Sequence, residues 1–543
     1  MTDSNNLPNG FTGFGPKPKN FSSVADVLRQ RDQEEGRDAE HAHMPAADGA
    51  AATVVTILPQ AQTPVAAPAV DQPPASAPAA APASALVSAA PDQLAHQAQA
   101  PLPVSAPSAF GARRPENRPP TAAEANSAAF GDGARAAFQY ARDHARSEDG
   151  VAEFDPEKLK LIPEIDRRWA WTEIDLGAIR RNCMAVKQHI GKGKRLMAVV
   201  KSDAYGHGAV RVAKTALNSG ADYLAVATVD EAIQLREGLV NAPILILSEP
   251  PMTAIPLLLA YKVMPSVYTP EFAIQYAEAA DAFGLRAPFH LAVNTGMNRI
   301  GVRFDEVVEF MGQVSFHRAL DLVGVFTHFA TADCTETLDF QIQVKRFGEA
   351  VDSLRAAGFN PGIVHAANTA AAIRYPDVHF DMVRLGIGLY GFHPCPETRL
   401  LIDLQPAMSV HARITDVRTV PMSEGVSYGL NYRSPGSVKI CTIPVGYADG
   451  LRRGLSGCTD VILDGQRCHQ VGNICMDQCM FEVDLRVYGR RKRLDPQIGD
   501  HVLLVGQEGD AVVTMDEMAN TLGTIHYELA IAFGSSRMPR IYK

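Results

Sequence analysis

The chain has 543 residues, 46% hydrophobic and 20% charged, the composition of one to a few soluble globular domains. A formal net charge of -9 gives no basis for a nucleic-acid partner, and no apolar run reaches the roughly 18 residues of a membrane helix. Met1-Thr2-Asp3-Ser4-Asn5-Asn6 holds neither a basic nor an apolar signal region, which points to the cytoplasm. The 8 cysteines include no CxxC pair and read as reduced thiols without a metal site.

Residues 1–160 read as a disordered extension. More than half of the residues from Ala61 to Ser108 are Ala or Pro, which offer too little burial to offset the entropy of ordering. Phe21–Glu35 and Ala134–Ala145 are its two helical stretches. Folded sequence begins near Arg167, with a strand over Trp169–Asp175 and a helix over Leu176–Ile190.

Apolar runs then recur at Leu196–Val200, Tyr223–Ala227, Pro243–Leu247, Val263–Tyr268, His290–Val293, Leu322–Phe326, Ile363–Ala366 and Met382–Leu385. Helical periodicity fills the gaps, as in Val229–Glu237, Glu271–Phe283, Asp305–Phe316 and Asp339–Ala357. Unbroken apolar strands alternating with amphipathic helices imply a parallel sheet covered on both faces. Eight such units predict an α/β (β/α)8 TIM-type barrel over residues 167–403, with an open doubly wound sheet as the alternative. From about Leu404 the runs become short and alternating, at His411–Val420, Ser437–Val445, Val461–Leu463, Cys479–Val483, His501–Leu504 and Ala511–Thr514. This predicts a mostly β C-terminal domain over residues 404–543.

Catalytic groups of a barrel collect where its strands end. Lys201 ends the first of the eight strands, where desolvation lowers an amine's pKa and yields the neutral nucleophile a Schiff base needs. Asn294, Thr295 and Arg299 follow the fifth strand, His328 the sixth, and Asn368 and Thr369 the seventh. Arg384 lies inside the eighth, between Val383 and Leu385, where burial demands a ligand or a fixed acceptor. Gly386-Ile387-Gly388 and Asn368-Thr369 stand where barrels bind phosphate on free backbone N–H groups. A lysine and a phosphate cradle in one barrel mouth point to pyridoxal 5'-phosphate (PLP).

The stretch Ala198-Val199-Val200-Lys201-Ser202-Asp203-Ala204-Tyr205-Gly206-His207-Gly208 closely resembles the PLP-lysine motif of alanine racemases. The resemblance runs in order through Asn294-Thr295-Gly296-Met297-Asn298-Arg299-Ile300-Gly301, Thr327-His328-Phe329-Ala330-Thr331-Ala332-Asp333, Val383 to Gly391, Val426-Ser427-Tyr428-Gly429, Gly446 to Gly450 and Ile474-Cys475-Met476-Asp477-Gln478. It covers about Arg167 to Lys543 and leaves the extension outside.

The resemblance implies a PLP-dependent racemase of alanine that supplies D-alanine for peptidoglycan, acting as a head-to-tail homodimer with shared sites. It implies that Lys201 carries PLP and is one acid–base group, and that Tyr428, entering from the partner chain, is the other. It further implies that Arg384 faces the pyridine nitrogen and that His328 bridges Arg384 and Tyr428. Arg299 and the Met476 backbone, the latter from the partner chain, would hold the substrate carboxylate. Tyr205, Thr369, Gly386, Ile387 and Tyr527 would hold the phosphate. Ala292 and Asn294 depart from the lysine and aspartate of many members, leaving Arg299 without its usual anionic partner; chloride or water would substitute. Ala and Asn also occur there in related broad-specificity racemases, which makes such an enzyme the alternative. Thr369 replaces a more usual serine and Asn473 a frequent arginine. A decarboxylase of the same fold type would place an acidic residue where Arg384 stands, and a non-catalytic PLP carrier would lack the β domain that holds Tyr428.

Overall fold

A computed structural model describes residues 164–483, 493–535 and 537–543. The 1–160 extension, with its expected helices at Phe21–Glu35 and Ala134–Ala145, lies outside the described residues.

After a single helical turn over Glu164–Arg167 comes strand β1 (Ala170–Ile174), followed by α1 (Leu176–His189), whose N-terminus is capped by the Asp175 carboxylate accepting from Ala178 N at 2.9 Å. A βα repeat follows: β2 (Arg195–Val199), α2 (Ala209–Leu217), β3 (Tyr223–Val226), α3 (Val229–Glu237), β4 (Ile244–Ile246), α4 (Ile255–Ala260), β5 (Met264–Val267), α5 (Pro270–Ala282), β6 (Ala287–Asn294), α6 (Val307–Val314), β7 (Leu320–Phe326), α7 (Leu338–Ala356), β8 (Ile363–His365), α8 (Thr369–Arg374) and β9 (Met382–Leu385). Strands β2 to β9 pair in parallel with their sequence neighbours, and β9 returns to β2 with Arg384 beside Met197, so the eight strands close into a barrel. The apolar runs of the sequence are these eight strands. Leu196, Met197 and Ala198 of β2 are fully buried because the barrel interior covers one face and helices the other. Thr228 and Thr269 cap α3 and α5, the first in a capping box with Glu231.

The C-terminal half is a largely antiparallel sheet of β10 (Met408–Arg413), β11 (Asp416–Val420), β12 (Val438–Ile443), β13 (Asp460–Leu463), β14 (Gln466–Val471), β15 (Cys479–Val483), β16 (His501–Glu508) and β17 (Ala511–Val513). Helices α9 (Met515–Leu522) and α10 (His526–Phe533) and strand β18 (Arg540–Tyr542) complete it. Strand β1 is not a barrel strand. It pairs antiparallel with β10 and parallel with β18, so the start and the end of the folded region lie side by side in the second half's sheet.

Candidate active site

Directly after β2 the backbone turns left-handed. Ser202, Asp203, Ala204 and Tyr205 have φ of 53°, 50°, 54° and 52°, one turn of left-handed helix closed by Ala204 N donating to Val200 O and Gly206 N to Ser202 O, each at 2.9 Å. Such a conformation costs roughly 1–2 kcal/mol for each non-glycine residue, so the surroundings must hold it. Glu231 does so from the α3 cap, its carboxylate accepting from Ser202 N at 2.6 Å and Ala227 N at 2.7 Å. Asp203 accepts from Ala209 N at 2.7 Å and pairs with Arg540 of β18. The turn places Lys201 at one end and Tyr205 at the other, both lining a cavity of about 550 Å³ at the barrel mouth. Burial, and secondarily the charge of Arg299, hold the Lys201 amine below its ordinary pKa.

Arg384 is buried and spends its guanidinium on five acceptors. Nη1 donates to His365 Nδ1 at 3.0 Å and His365 O at 3.3 Å; Nη2 shares its two hydrogens among Thr327 O at 2.7 Å, Ala366 O at 2.9 Å and His328 Nδ1 at 3.1 Å. The fixed acceptors that the sequence demanded are thus carbonyls and imidazoles rather than a carboxylate. Burial and Arg299 lower the guanidinium's pKa to about 9, which leaves it charged at neutral pH. Burial and the cations Arg384, Arg299 and Lys201 push His328 down to about 3, so this ring is neutral. Since Arg384 can only donate, His328 Nδ1 must accept and its proton sits on Nε2. The same logic fixes His365, whose Nε2 stands 2.9 Å from His290 Nδ1.

The opposite pole of the cavity is rich in neutral donors. Thr369 Oγ1 accepts from Gly386 N at 3.0 Å and Gly388 N at 3.4 Å. A Cβ on Gly386 would lie 3.4 Å from the Tyr205 hydroxyl and 3.7 Å from Thr369 Oγ1, so this glycine leaves room between two hydroxyls. Ile387 lines the same wall, and the Tyr527 ring stands 6.1 Å from that of Tyr205. Burial raises Tyr205 to about 12 and raises Tyr527 as well, which keeps both phenols protonated as donors. Asn368 also lines the cavity, but its amide is committed: Oδ1 caps α8 by accepting from Ala371 N at 3.0 Å, and Nδ2 donates to Phe329 O at 3.4 Å. An amine of lowered pKa, a cluster of neutral hydroxyl and N–H donors and a guanidinium in one cavity of this volume fit PLP.

Arg299 lines the cavity from an exposed position, and among the described residues no carboxylate pairs with it. Asn294, in the place of the expected aspartate, folds the loop that carries Arg299. Its Oδ1 accepts from Gly296 N at 3.1 Å and Asn298 N at 3.0 Å, and its Nδ2 donates to Asn298 Oδ1 at 3.0 Å. Ala292 is buried in β6 beside Phe326. The sequence placed Thr295 at a strand end but did not show the support it gives: Thr295 Oγ1 lies 2.8 Å from Thr327 Oγ1, and Gln343 Nε2 donates to Thr295 Oγ1 and His328 O, each at 3.1 Å.

Ten of the expected site residues line this cavity; Tyr428 and Met476 do not. They lie on an exposed edge of the C-terminal half, with 73% and 53% of their surface accessible. Asn473 joins their two segments, Nδ2 donating to Tyr428 O at 2.7 Å and its carbonyl accepting from Ser427 Oγ at 2.5 Å.

Models of the alanine racemase N-terminal and C-terminal domains match residues 174–394 and 407–542. An alanine racemase of Synechocystis sp. is 43% identical over 378 residues, 69% of this chain and 99% of its own length. The crystal structure of alanine racemase from Bacillus anthracis with bound L-Ala-P superposes with a TM-score of 0.64 at 37% identity, covering 69% of this chain and 95% of that one. A histidine racemase from Leuconostoc mesenteroides subsp. sake superposes at 0.62 with 29% identity, covering 69% and 98%. With both domains matched and a relative aligned along nearly its whole length, the chain belongs to the alanine racemase family and is a PLP-dependent isomerase.

Proposed function

We propose that the protein interconverts L-alanine and D-alanine with Lys201 and Tyr428 of a partner chain as the two proton carriers, supplying D-alanine for peptidoglycan in the cytoplasm. The observation that carries this reading is Arg384, a guanidinium held by neutral histidines and carbonyls where a carboxylate would favour other PLP chemistry. PLP bound through Lys201 withdraws electrons from the substrate and acidifies its Cα–H.

The chain's own groups do the rest. Tyr205, Thr369, Tyr527 and the backbone at Gly386 and Ile387 would hold the phosphate, and Arg384 would lie toward the pyridine nitrogen. A guanidinium keeps its proton, so Arg384 would supply none there, which would confine the chemistry to proton exchange. Arg299 and the Met476 backbone hold the substrate carboxylate. Lys201 takes or returns the α-proton on one face, and Tyr428 does so on the other. Phenols are weak acids, so to act as a base Tyr428 needs stabilisation of its anion. His328 supplies it: with Nδ1 occupied by Arg384, its Nε2–H is free to donate to the phenolate. The partner chain is a second copy, supported by the exposure of Tyr428 and Met476 together with the apolar Met422 and Leu430 on the same chain.

The test is chiral chromatography of the purified protein incubated with PLP and, separately, L-Ala, L-Ser, L-Lys and L-Arg. Interconversion concentrated on alanine is the expected result. Comparable turnover of Lys or Arg would move the assignment to a broad-specificity racemase, and no D-isomer from any of them would end the racemase reading.

A further inference from the structure

We propose that Arg540, in the C-terminal strand β18, is a positioning residue for Lys201 and Tyr205, acting through Asp203. The four-residue left-handed turn that presents both groups contains no glycine, and only Asp203 is of a type that visits this region, so its own sequence does little to favour its backbone. It is held from outside. The Arg540 guanidinium pairs with the Asp203 carboxylate and reaches Gly206 O at 3.3 Å, bridging the middle of the turn to its end. A charge-assisted bond of this type is stronger than a neutral one and directional.

Arg540 is itself fixed by the fold. Thr172 N donates to Pro539 O at 2.9 Å and Lys543 N to Ile174 O at 2.9 Å, so β18 is anchored along β1 on both sides of Arg540. The turn also abuts this region without slack. A Cβ on Gly206 would meet Ala530 O at 2.6 Å and the Gly534 Cα at 2.9 Å, and a Cβ on Gly208 would overlap the Tyr542 hydroxyl. The C-terminal half thus sets the register of the cofactor-holding turn, and loosening Arg540 lets the turn relax and pulls Lys201 and Tyr205 out of alignment together.

The proposal rests on the PLP reading of Lys201, and its test separates the two. Full-length wild type, Arg540→Ala, Arg540→Lys, Asp203→Asn and Lys543→Ala are titrated with PLP, reduced with borohydride and mapped by mass spectrometry, and the unfolding midpoint of each cofactor-free protein is recorded. Lys543→Ala breaks an ion pair with Glu173 near the same strand without touching the turn. Asp203→Asn keeps an acceptor for Ala209 N while removing the charge. Arg540→Ala and Asp203→Asn are each expected to raise the PLP dissociation constant about tenfold or more, Arg540→Lys to recover part of it, and Lys543→Ala to leave it unchanged at a comparable unfolding midpoint. Wild-type PLP affinity in Asp203→Asn or Arg540→Ala, or equal weakening by Lys543→Ala, would overturn the proposal. If Arg540→Ala does not fold, Asp203→Asn decides. Absence of a reduced adduct on Lys201 in the wild type would instead remove the cofactor reading, and the proposal with it.

Discussion

Nη1 of Arg384 stands 3.0 Å from Nδ1 of His365, and that ring passes the contact on to His290, whose Nδ1 lies 2.9 Å from His365 Nε2. An arginine only donates, so the proton positions of the chain are fixed: His365 carries its proton on Nε2 and His290 accepts it. Arg384 is therefore oriented from below by a neutral imidazole pair while its other nitrogen holds His328.

Arg384→Lys keeps the charge but not the fork. One ammonium cannot reach five acceptors spread over His365, Thr327, Ala366 and His328. The acceptors left unpaired are buried and the orientation of His328 is lost. The expected outcome is a fall in kcat for alanine of roughly a hundredfold, about 2.7 kcal/mol of barrier, with a smaller change in KM. A kcat within a factor of a few of wild type would show that the fork does not matter to the chemistry.

Buried histidines also set the acid limit of the fold. Burial holds His290 down to about 3 and His207 to about 4, against an ordinary 6.5. Below pH 6.5 the unfolded chain takes up protons at these rings while the folded chain refuses them. The stability contribution is thus complete above pH 6.5 and is lost as pH falls toward the folded values. Each ring should cost roughly 1.4 kcal/mol per pH unit in that window. Urea unfolding at pH 7 and pH 5 measures the slope. His290→Gln, though less stable at neutral pH, should show a slope smaller by about one proton; an unchanged slope would mean that His290 titrates normally.

The barrel was legible because its strands are covered on both faces and so appear as unbroken apolar runs. The second half was legible only in part. Strand β14 alternates Gln466, Arg467 and His469 with Cys468 and Gln470, which hides it among polar loops, and α9 and α10 were not anticipated. The placement of β1 could not be read at all, since its partners β10 and β18 lie more than 200 residues away. At the cavity, residues at strand ends were visible as lone polar groups closing apolar runs. His290 and His365 sat inside such runs, where a histidine costs burial and signals a partner, yet only the barrel's closure shows that the two are partners. The left-handed turn had no sequence signal, because Ser-Asp-Ala-Tyr does not ask for positive φ.

Arg299 contributes to the state of Lys201 as well as to the substrate binding proposed for it. Burial is the first cause of the lowered Lys201 pKa and the Arg299 charge the second. Arg299→Gln removes the second and leaves the first, so the Lys201 pKa rises part of the way back. At a given pH below that value less of the amine is neutral, and the pH midpoint for capture of pyridoxal by cofactor-free protein should move upward. The KM for alanine should rise at the same time by roughly tenfold or more through loss of a charge-assisted carboxylate contact. A KM effect with no change in the capture profile would confine Arg299 to substrate binding.

Tyr428 is exposed in its own chain and does not line its own cavity. If it serves a second copy, two inactive variants must rescue each other. On the proposed mechanism Lys201→Ala lacks the cofactor lysine and Tyr428→Phe the second proton carrier, so each alone should be inactive. Mixing equal amounts through mild dissociation and reassembly makes half of the dimers heterodimeric, and one site of each heterodimer carries both intact residues. Activity should return to roughly a quarter of the wild-type level, as two-fold symmetry requires. A Tyr428 acting within its own chain gives no rescue at any mixing ratio, because every Lys201 would then stand beside a phenylalanine and every Tyr428 beside an alanine.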